Sequence, residues 1–323
     1  MRVIEKHGFS YRMGKPPLPT CLFGFLTLFP AMSSSANPIA IAPDYTEPGA
    51  VVQIIISGDP MDNIVVTLKS QNDIALSRNE GFNWATPTGR RVSTALLGIP
   101  INLEPGRYRL VVDATLGKSQ WHLERGINVG AVTHPEEVIK LNERMSTLYT
   151  DESERKKAEA RRLWAVLNNP NRTAIHQIGP MISPMKNGVP TAYFGDNRRY
   201  HMPDGSESYS IHKGDDLWAE IGTPVRASGR GRVMLATERF LTGNTVIIEH
   251  LPGVFSMYFH MDSIDVDEGE FVAQNQQIGT VGDTGFVTGK HLHWELRIGS
   301  IPVDPRYFFA KPLLDTDTLI GNM

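Results

Sequence analysis

The chain has 323 residues, enough for two domains that each bury a core of their own. Apolar residues make up 41% of the sequence and charged residues 21%, the proportions of an ordinary globular protein. The formal net charge is -3, and no block of lysine or arginine occurs. Since phosphate binding needs a basic surface, the sequence predicts no nucleic-acid partner.

The first 36 residues have the order of a secretory signal peptide. Basic residues within the first 15 positions precede the apolar run 21–29, and small residues follow at 33–36. This run is shorter than the about 20 residues of a bilayer span, so we expect cleavage after Ala36 and no stable membrane insertion afterwards. An uncleaved anchor is the alternative. Cleavage would remove the single cysteine, Cys21, and leave only nitrogen and oxygen ligands for a metal.

Residues 37–132 contain short β-branched runs between turn residues. The runs 51–56, 64–68, 108–112 and 121–129 are candidate strands. We predict a β-sandwich domain here, with an immunoglobulin-like topology as one option. This domain is predicted to act as a spacer or to bind a regulatory protein partner.

Residues 133–172 change to a helical pattern. Thr133 and Glu136 form a capping-box motif, and Val138, Leu141 and Met145 follow at helical spacing. A charged second helix is predicted over 151–168, because a proline follows at 170. The pattern therefore predicts a helical connector between two domains.

Residues 173–311 are again rich in strands, so the predicted fold class is mainly β. The candidate strands are 231–235, 245–250, 255–260, 278–281 and 291–297. We predict a β-rich catalytic domain over this range, followed by a C-terminal tail over 312–323.

Histidines and one carboxylate in this second domain have the character of a metal site. His212 and Asp216 stand four residues apart, and His291 and His293 occupy positions i and i+2 of a predicted strand. Both imidazoles of that pair should therefore face one side. Catalytic zinc usually takes three protein ligands and keeps one position for water. His212, Asp216 and one histidine of the pair would supply those ligands.

His260 is the candidate for a further catalytic group. It ends the predicted strand 255–260, where alternation places it on the same face as Ser256 and Tyr258. The histidine of the 291/293 pair that does not bind metal is the other candidate. Either could act as general base or stabilise a developing oxyanion. His250 is predicted to be a hydrogen-bonded packing residue.

From about Phe194 to Phe308 the sequence resembles the LytM-type, M23 (lysostaphin-like) metallopeptidase family. Phe194-Gly195, followed by arginines and His201, is similar to the family's F-G-x-R segment. The other matching motifs are His212-x-Gly214-x-Asp216, Gly222-Thr223-Pro224-Val225, Gly243-Asn244-x-Val246-x-Ile248-x-His250, Tyr258-x-His260 and Gly282-x-Thr284-Gly285-x-x-Thr288-Gly289-x-His291-Leu292-His293-x-Glu295. Met261-Asp262 and Val287 depart from common family residues, and neither change removes a predicted ligand.

The resemblance implies one Zn²⁺ per catalytic domain, bound by His212, Asp216 and His293. It implies that His291 is the general base and that His260 assists catalysis. The implied reaction is hydrolysis of peptide bonds in peptidoglycan stem peptides or cross-links by metal-activated water. The signal-peptide pattern predicts that this takes place in the periplasm or, alternatively, in a secreted or wall-associated location.

Two other functions stay open. One is a catalytically silent regulator that activates another cell-wall hydrolase, which predicts loss of at least one ligand. The other is a zinc-stabilised binding module, which predicts a closed site with four protein ligands.

Overall fold

The computed structural model describes residues 39–86, 89 and 91–315. The signal peptide predicted over 1–36 lies outside the described residues. Over the described part, no helix has the length and apolar character needed to cross a membrane.

The N-terminal domain consists of strands, as the sequence predicts. They are β1 (Ile39–Ile41), β2 (Tyr45–Thr46), β3 (Val51–Ser57), β4 (Asp62–Lys69), β5 (Ala75–Glu80), β6 (Phe82–Ala85), β7 (Arg91–Gly98), β8 (Gly106–Leu116) and β9 (Ser119–Val129). One sheet has the order β1-β3-β7-β6, and a second has the order β2-β9-β8-β4-β5.

Alternating apolar residues from both sheets meet in one core. Val52 and Ile54 of β3 pack with Val66 of β4 and Val112 of β8, and all four side chains are buried. This arrangement is a β-sandwich, because each sheet buries one face against the other. The immunoglobulin-like topology stays a prediction.

The connector differs from the prediction in its first half. Its elements are β10 (Glu136–Lys140), α1 (Glu143–Thr150) and α2 (Glu154–Leu167). The helix predicted from Thr133 is wrong over 136–140, because these residues pair in parallel with the later strand β12 (Asn197–His201). Val138, expected on a buried helical face, is 46% exposed. The local helical spacing was outweighed by backbone hydrogen bonds to a distant strand.

The two helices begin at polar caps. The side chain of Asn142 accepts a hydrogen bond from the backbone N–H of Met145, and the Ser153 hydroxyl accepts one from Lys156. Leu163 and Leu167 of α2 pack against Phe255 and Met257 of the second domain. The connector is therefore part of the packed structure of that domain.

The second domain is built mainly of antiparallel strands. Besides β12, its elements are β11 (Val189–Ala192), β13 (Glu207–Ile211), β14 (Asp215–Trp218), β15 (Pro224–Arg226), β16 (Gly231–Arg239), β17 (Gly243–Leu251), β18 (Val254–Ile264), β19 (Phe271–Val272), β20 (Gln277–Val281), β21 (Leu292–Ile298), β22 (Ile301–Val303) and a 3₁₀ helix (Pro305–Phe308). The main sheet has the order β11-β14-β21-β18-β17-β16-β19, with β20 beside β18 and β15, and β22 beside β21. A smaller sheet has the order β10-β12-β13.

The sandwich and the main sheet share a hydrophobic core. Ile55 and Trp84 of the sandwich pack in the same cluster as Leu296 and Ile298 of β21. Leu313 and Leu314 are also buried in this cluster, so the first residues of the predicted C-terminal tail pack against the shared core. The shared core holds the C-terminal half of β21, and His293 lies in the other half of the strand. The predicted class, mainly β with an N-terminal sandwich and a C-terminal β-rich domain, is confirmed.

Candidate metal centre

Two neighbouring strands bring the predicted ligands together. Asp216 of β14 and His293 of β21 are cross-strand partners, and such partners project from the same face of a sheet. His212 reaches them because the chain passes close to β21 at Gly214. A Cβ atom on Gly214 would lie 2.3 Å from the carbonyl oxygen of Trp294, so only glycine allows this approach.

The three side chains converge on one point. The Oδ1 atom of Asp216 lies 2.7 Å from His293 Nδ1 and 3.1 Å from His212 Nε2. The two imidazole nitrogens are 2.9 Å apart. Within the described residues this is the group of donors that could hold a metal, with all its ligand atoms within 4.8 Å of one another.

Backbone and side-chain partners fix the orientation of both histidines. His212 Nδ1 donates to the carbonyl oxygen of Tyr193 at 2.9 Å, which leaves the lone pair on Nε2. His293 Nε2 donates to Glu295 Oε1 at 3.1 Å, so Nδ1 faces Asp216 and becomes a metal donor when it loses its proton. The second oxygen of Glu295 accepts from Arg297 Nε at 2.7 Å. Such partners of a metal-binding histidine set its tautomer and its ring orientation. Sequence reasoning missed Glu295 and Arg297 in this role, although Glu295 belongs to the quoted motif.

His260 enters the site through an unusual backbone conformation. Its φ is +63°, and the pairing of β18 with β17 and β20 is irregular on both sides of it. Tyr258 and Ser256 are hydrogen-bonded to each other on the opposite face from Phe259, whose ring stacks on His293 at 5.4 Å. The His260 ring nevertheless lies 6.1 Å from that of His293. The predicted common face for Ser256, Tyr258 and His260 is wrong, because the left-handed residue breaks the alternation.

The loop 282–291 orients the other two imidazoles. His260 Nδ1 donates to the carbonyl oxygen of Thr284 at 2.8 Å, and His291 Nδ1 donates to that of Gly289 at 2.8 Å. Both rings therefore keep the lone pair on Nε2. Their centroids are 5.1 Å apart, and His291 Nε2 is 3.6 Å from Asp216 Oδ1. Both catalytic candidates thus lie beside the ligand cluster.

Burial and charge set distinct protonation states in this cluster. Burial opposes ionisation of Asp216, but the neighbouring imidazoles of His212 and His293 outweigh it and hold the pKa of Asp216 well below its usual value. Burial also disfavours the charged form of His293, yet hydrogen bonds to Asp216 and Glu295 raise its pKa to about 9. Burial lowers the pKa of His260 to about 3 and lowers that of His291. His260 and His291 are therefore neutral near pH 7.

His250, which belongs to another of the quoted motifs, has a packing role. His250 is fully buried, and its Nδ1 donates to the carbonyl oxygen of Arg230 at 2.9 Å. Its Nε2 is hydrogen-bonded to the Ser256 hydroxyl at 2.7 Å. Its position agrees with the prediction of a hydrogen-bonded packing residue. Sequence reasoning missed one charged neighbour of the cluster, Arg198, whose Nη2 atom lies 2.5 Å from Asp216 Oδ2.

Comparison with known proteins relates the part of the chain that contains this site to a known family. Residues 210–305 match the model of Peptidase family M23, and this range contains all five predicted site residues. The chain carries a peptidase family M23 domain. The resemblance found from the motifs is therefore confirmed, and M23 is a family of metallopeptidases.

Curated relatives match about a third of this chain. Peptidoglycan DD-endopeptidase ShyA from Vibrio cholerae is 39% identical over 109 residues, which are 34% of this chain and 25% of that protein. DD-carboxypeptidase/endopeptidase Mpg from Neisseria meningitidis is 41% identical over 106 residues, 33% of this chain and 24% of that protein. The match thus spans about a quarter of the length of these relatives.

A solved structure extends the likeness beyond the M23 domain. A putative peptidase M23 from Pseudomonas aeruginosa superposes with a TM-score of 0.56 and 22% identity, covering 81% of this chain and 93% of that chain. At this identity the likeness shows the fold. It includes most of the described chain, and so supports the mainly β architecture.

The donor set of the M23 domain fits a metal ion. His212 Nε2, His293 Nδ1 and Asp216 Oδ1 all face one point, where Nδ1 of His293 can bind a metal once its proton is displaced. Tetrahedral zinc with ligands at about 2.0–2.2 Å separates its donor atoms by roughly 3.3 Å. The observed separations of 2.7, 2.9 and 3.1 Å are slightly shorter than this spacing. A mixed nitrogen and oxygen set of this kind suits zinc.

Proposed function

We propose that this protein is a zinc-dependent endopeptidase that hydrolyses peptide bonds in peptidoglycan stem peptides or cross-links. One observation carries the proposal: His212, Asp216 and His293 form a three-donor cluster, and the lone pairs of His260 and His291 lie beside it. Three protein ligands are the number found in catalytic zinc sites, whereas structural sites have four. The names of the M23 relatives support peptidoglycan as the substrate.

Zinc held by His212, Asp216 and His293 would supply a Lewis acid that polarises the scissile carbonyl and acidifies water. His291 is placed to accept the proton of that water. Its Nε2 carries a lone pair because Nδ1 donates to Gly289, and Asp216 at 3.6 Å favours the protonated ring. We therefore assign the role of general base to His291.

His260 is the less basic of the two imidazoles, since burial lowers its pKa to about 3. With Nδ1 donating to Thr284, its Nε2 atom accepts a hydrogen bond. We propose that His260 orients the attacking water by accepting that bond. To stabilise an oxyanion, as the sequence predicts, His260 would need a proton on Nε2. The imidazole placed to deliver this proton is that of His291, whose ring centroid lies 5.1 Å from that of His260.

The bond and the compartment are further parts of the proposal. The DD-endopeptidase names of the relatives favour cross-links next to D-alanine over glycine bridges. Export to the periplasm is proposed from the signal-peptide pattern of residues 1–36. A regulatory protein bound by the β-sandwich remains a proposal of the same kind.

The test uses purified cross-linked muropeptides and mass spectrometry of the products. We expect cleavage that a chelator abolishes and Zn²⁺ restores. His291→Ala should lower kcat by about 10²- to 10⁴-fold, the usual contribution of a general base. His122→Ala is the matched control, because His122 lies exposed on β9 of the sandwich and pairs with Asp113.

Each failure has a separate meaning. Cleavage that persists without metal would refute the zinc mechanism. Unchanged cleavage by His291→Ala would refute the assignment of the base. A protein that binds zinc, cleaves no muropeptide and stimulates a second wall hydrolase would be the silent regulator.

A further inference from the structure

The two carboxylate oxygens of Asp216 have different surroundings. Oδ1 faces the imidazoles, at 2.7 Å from His293 and 3.1 Å from His212. Oδ2 accepts a hydrogen bond from Arg198 Nη2 at 2.5 Å. The side chains of Arg198 and Asp216 are 16% and 8% exposed, so this ion pair is shielded from water.

Arg198 has a second acidic neighbour besides Asp216. It lies on β12, and Glu137 of the neighbouring β10 is 3.6 Å from its Nε atom. Tyr200, two residues further on β12, packs against Tyr149 of α1 and Phe286 of the loop 282–291. Since residues i and i+2 of a strand share a face, Arg198 and Tyr200 both point towards the site. The guanidinium thus lies between two carboxylates, with Asp216 at 2.5 Å and Glu137 at 3.6 Å.

Arg199 provides a natural comparison on the same strand. Its side chain is 33% exposed and pairs with Glu136 at 2.6 Å, away from the ligand cluster. Both arginines therefore pair β12 with β10 through a glutamate. Only Arg198 also contacts a predicted metal ligand.

We propose that Arg198 is a positioning residue that holds Oδ2 of Asp216 and leaves Oδ1 alone to bind the metal. A carboxylate can bind a metal through one oxygen or through both. A bond from a guanidinium to one oxygen removes the second mode, and such partners of metal ligands typically change metal affinity or activity 10- to 100-fold. The inference rests on the proposed metal site.

The test replaces the metal with Co²⁺, whose visible absorption weakens when its coordination number rises above four. In Arg198→Gln and Arg198→Met the second oxygen of Asp216 becomes free to bind. We expect both variants to lose Co²⁺ absorption intensity relative to the unsubstituted protein, and to lose about 10- to 100-fold in kcat/KM on muropeptides with zinc. Arg198→Lys should give an intermediate spectrum, because an ammonium can contact Oδ2 without the planar guanidinium fork.

Arg199→Gln is the control, and we expect it to keep the full Co²⁺ spectrum. Circular dichroism identifies the variants that fold. If one of Arg198→Gln and Arg198→Met fails to fold, the other still tests the proposal. A folded Arg198→Gln or Arg198→Met with the unsubstituted spectrum overturns the proposal. Should its zinc affinity then rise, Arg198 acts by charge repulsion alone. If the unsubstituted chain binds no Co²⁺, the metal site itself is refuted, which is distinct from failure of the arginine's role.

Discussion

The left-handed conformation of His260 predicts an inverted order of stability between two substitutions. At φ +63° a Cβ atom costs about 1–2 kcal/mol, a cost that both histidine and alanine incur. Glycine avoids it but loses about 0.5–1 kcal/mol relative to alanine, because it gives up more backbone freedom on folding. Taking the midpoints of these two ranges, His260→Gly should be more stable than His260→Ala by about 0.75 kcal/mol. Neither variant keeps the imidazole, so both should lose activity.

Guanidinium unfolding of the two variants, followed by circular dichroism, measures this difference. Ser263 on the same strand is the control, because its φ is not positive. There, Ser263→Gly should be less stable than Ser263→Ala by about 0.5–1 kcal/mol, the ordinary order. If His260→Gly were equal to or less stable than His260→Ala, the strain argument would be refuted. The β18 irregularity would then hold His260 without a backbone penalty.

Three further predictions concern charge and packing near the sheet. Burial raises the pKa of Glu249 to about 7 from 4.5, so stability present below pH 4.5 is lost as pH rises through 7, by at most about 3 kcal/mol. Denaturant unfolding should show Glu249→Gln gaining on the unsubstituted protein between pH 5 and 8, and a constant difference would contradict this. A Cβ atom on Gly243 would lie 2.5 Å from the carbonyl oxygen of Thr284, and this carbonyl orients His260. Gly243→Ala should therefore lower kcat about 100-fold in the muropeptide assay. An unchanged kcat would show that the loop adapts. Because the pKa of metal-free His293 is about 9, zinc must displace a proton from this ring. Chelator competition should show the zinc affinity weakening about tenfold per pH unit from pH 8 to pH 6. A zinc affinity that does not depend on pH would exclude a proton on His293.

Local patterns in the sequence were sufficient to predict most of the strands and the residues that the structure gathers in the candidate site. The apolar runs 51–56 and 245–250 became β3 and β17 because β-branched residues suit a buried sheet and turn residues bound them. The spacing of His291 and His293 predicted two rings beside one site, and both lie near Asp216, although β21 begins at Leu292 and His291 belongs to the preceding loop. Motif order then joined His212 and Asp216 to this pair, and the structure brings them together.

Other features depended on contacts between distant segments. Residues 136–140 have helical spacing, yet they form β10 because β12 offers a parallel partner. No local signal marks the left-handed residue at His260, which follows from the irregular pairing of β18 with two neighbours. Arg198 is one of two adjacent arginines, and the sequence does not show which of them faces Asp216.

The sequence by itself determined the strands, the family and the residues that could bind a metal, because these depend on residue type and short-range spacing. Only the tertiary structure decided which atoms of those residues face the candidate metal site. That choice depends on partners remote in the chain: Tyr193 and Glu295 orient the histidines, Arg198 holds one oxygen of Asp216, and Thr284 holds His260. Tautomers and carboxylate orientation are set by hydrogen bonds across strands, and these form only when the sheet is assembled.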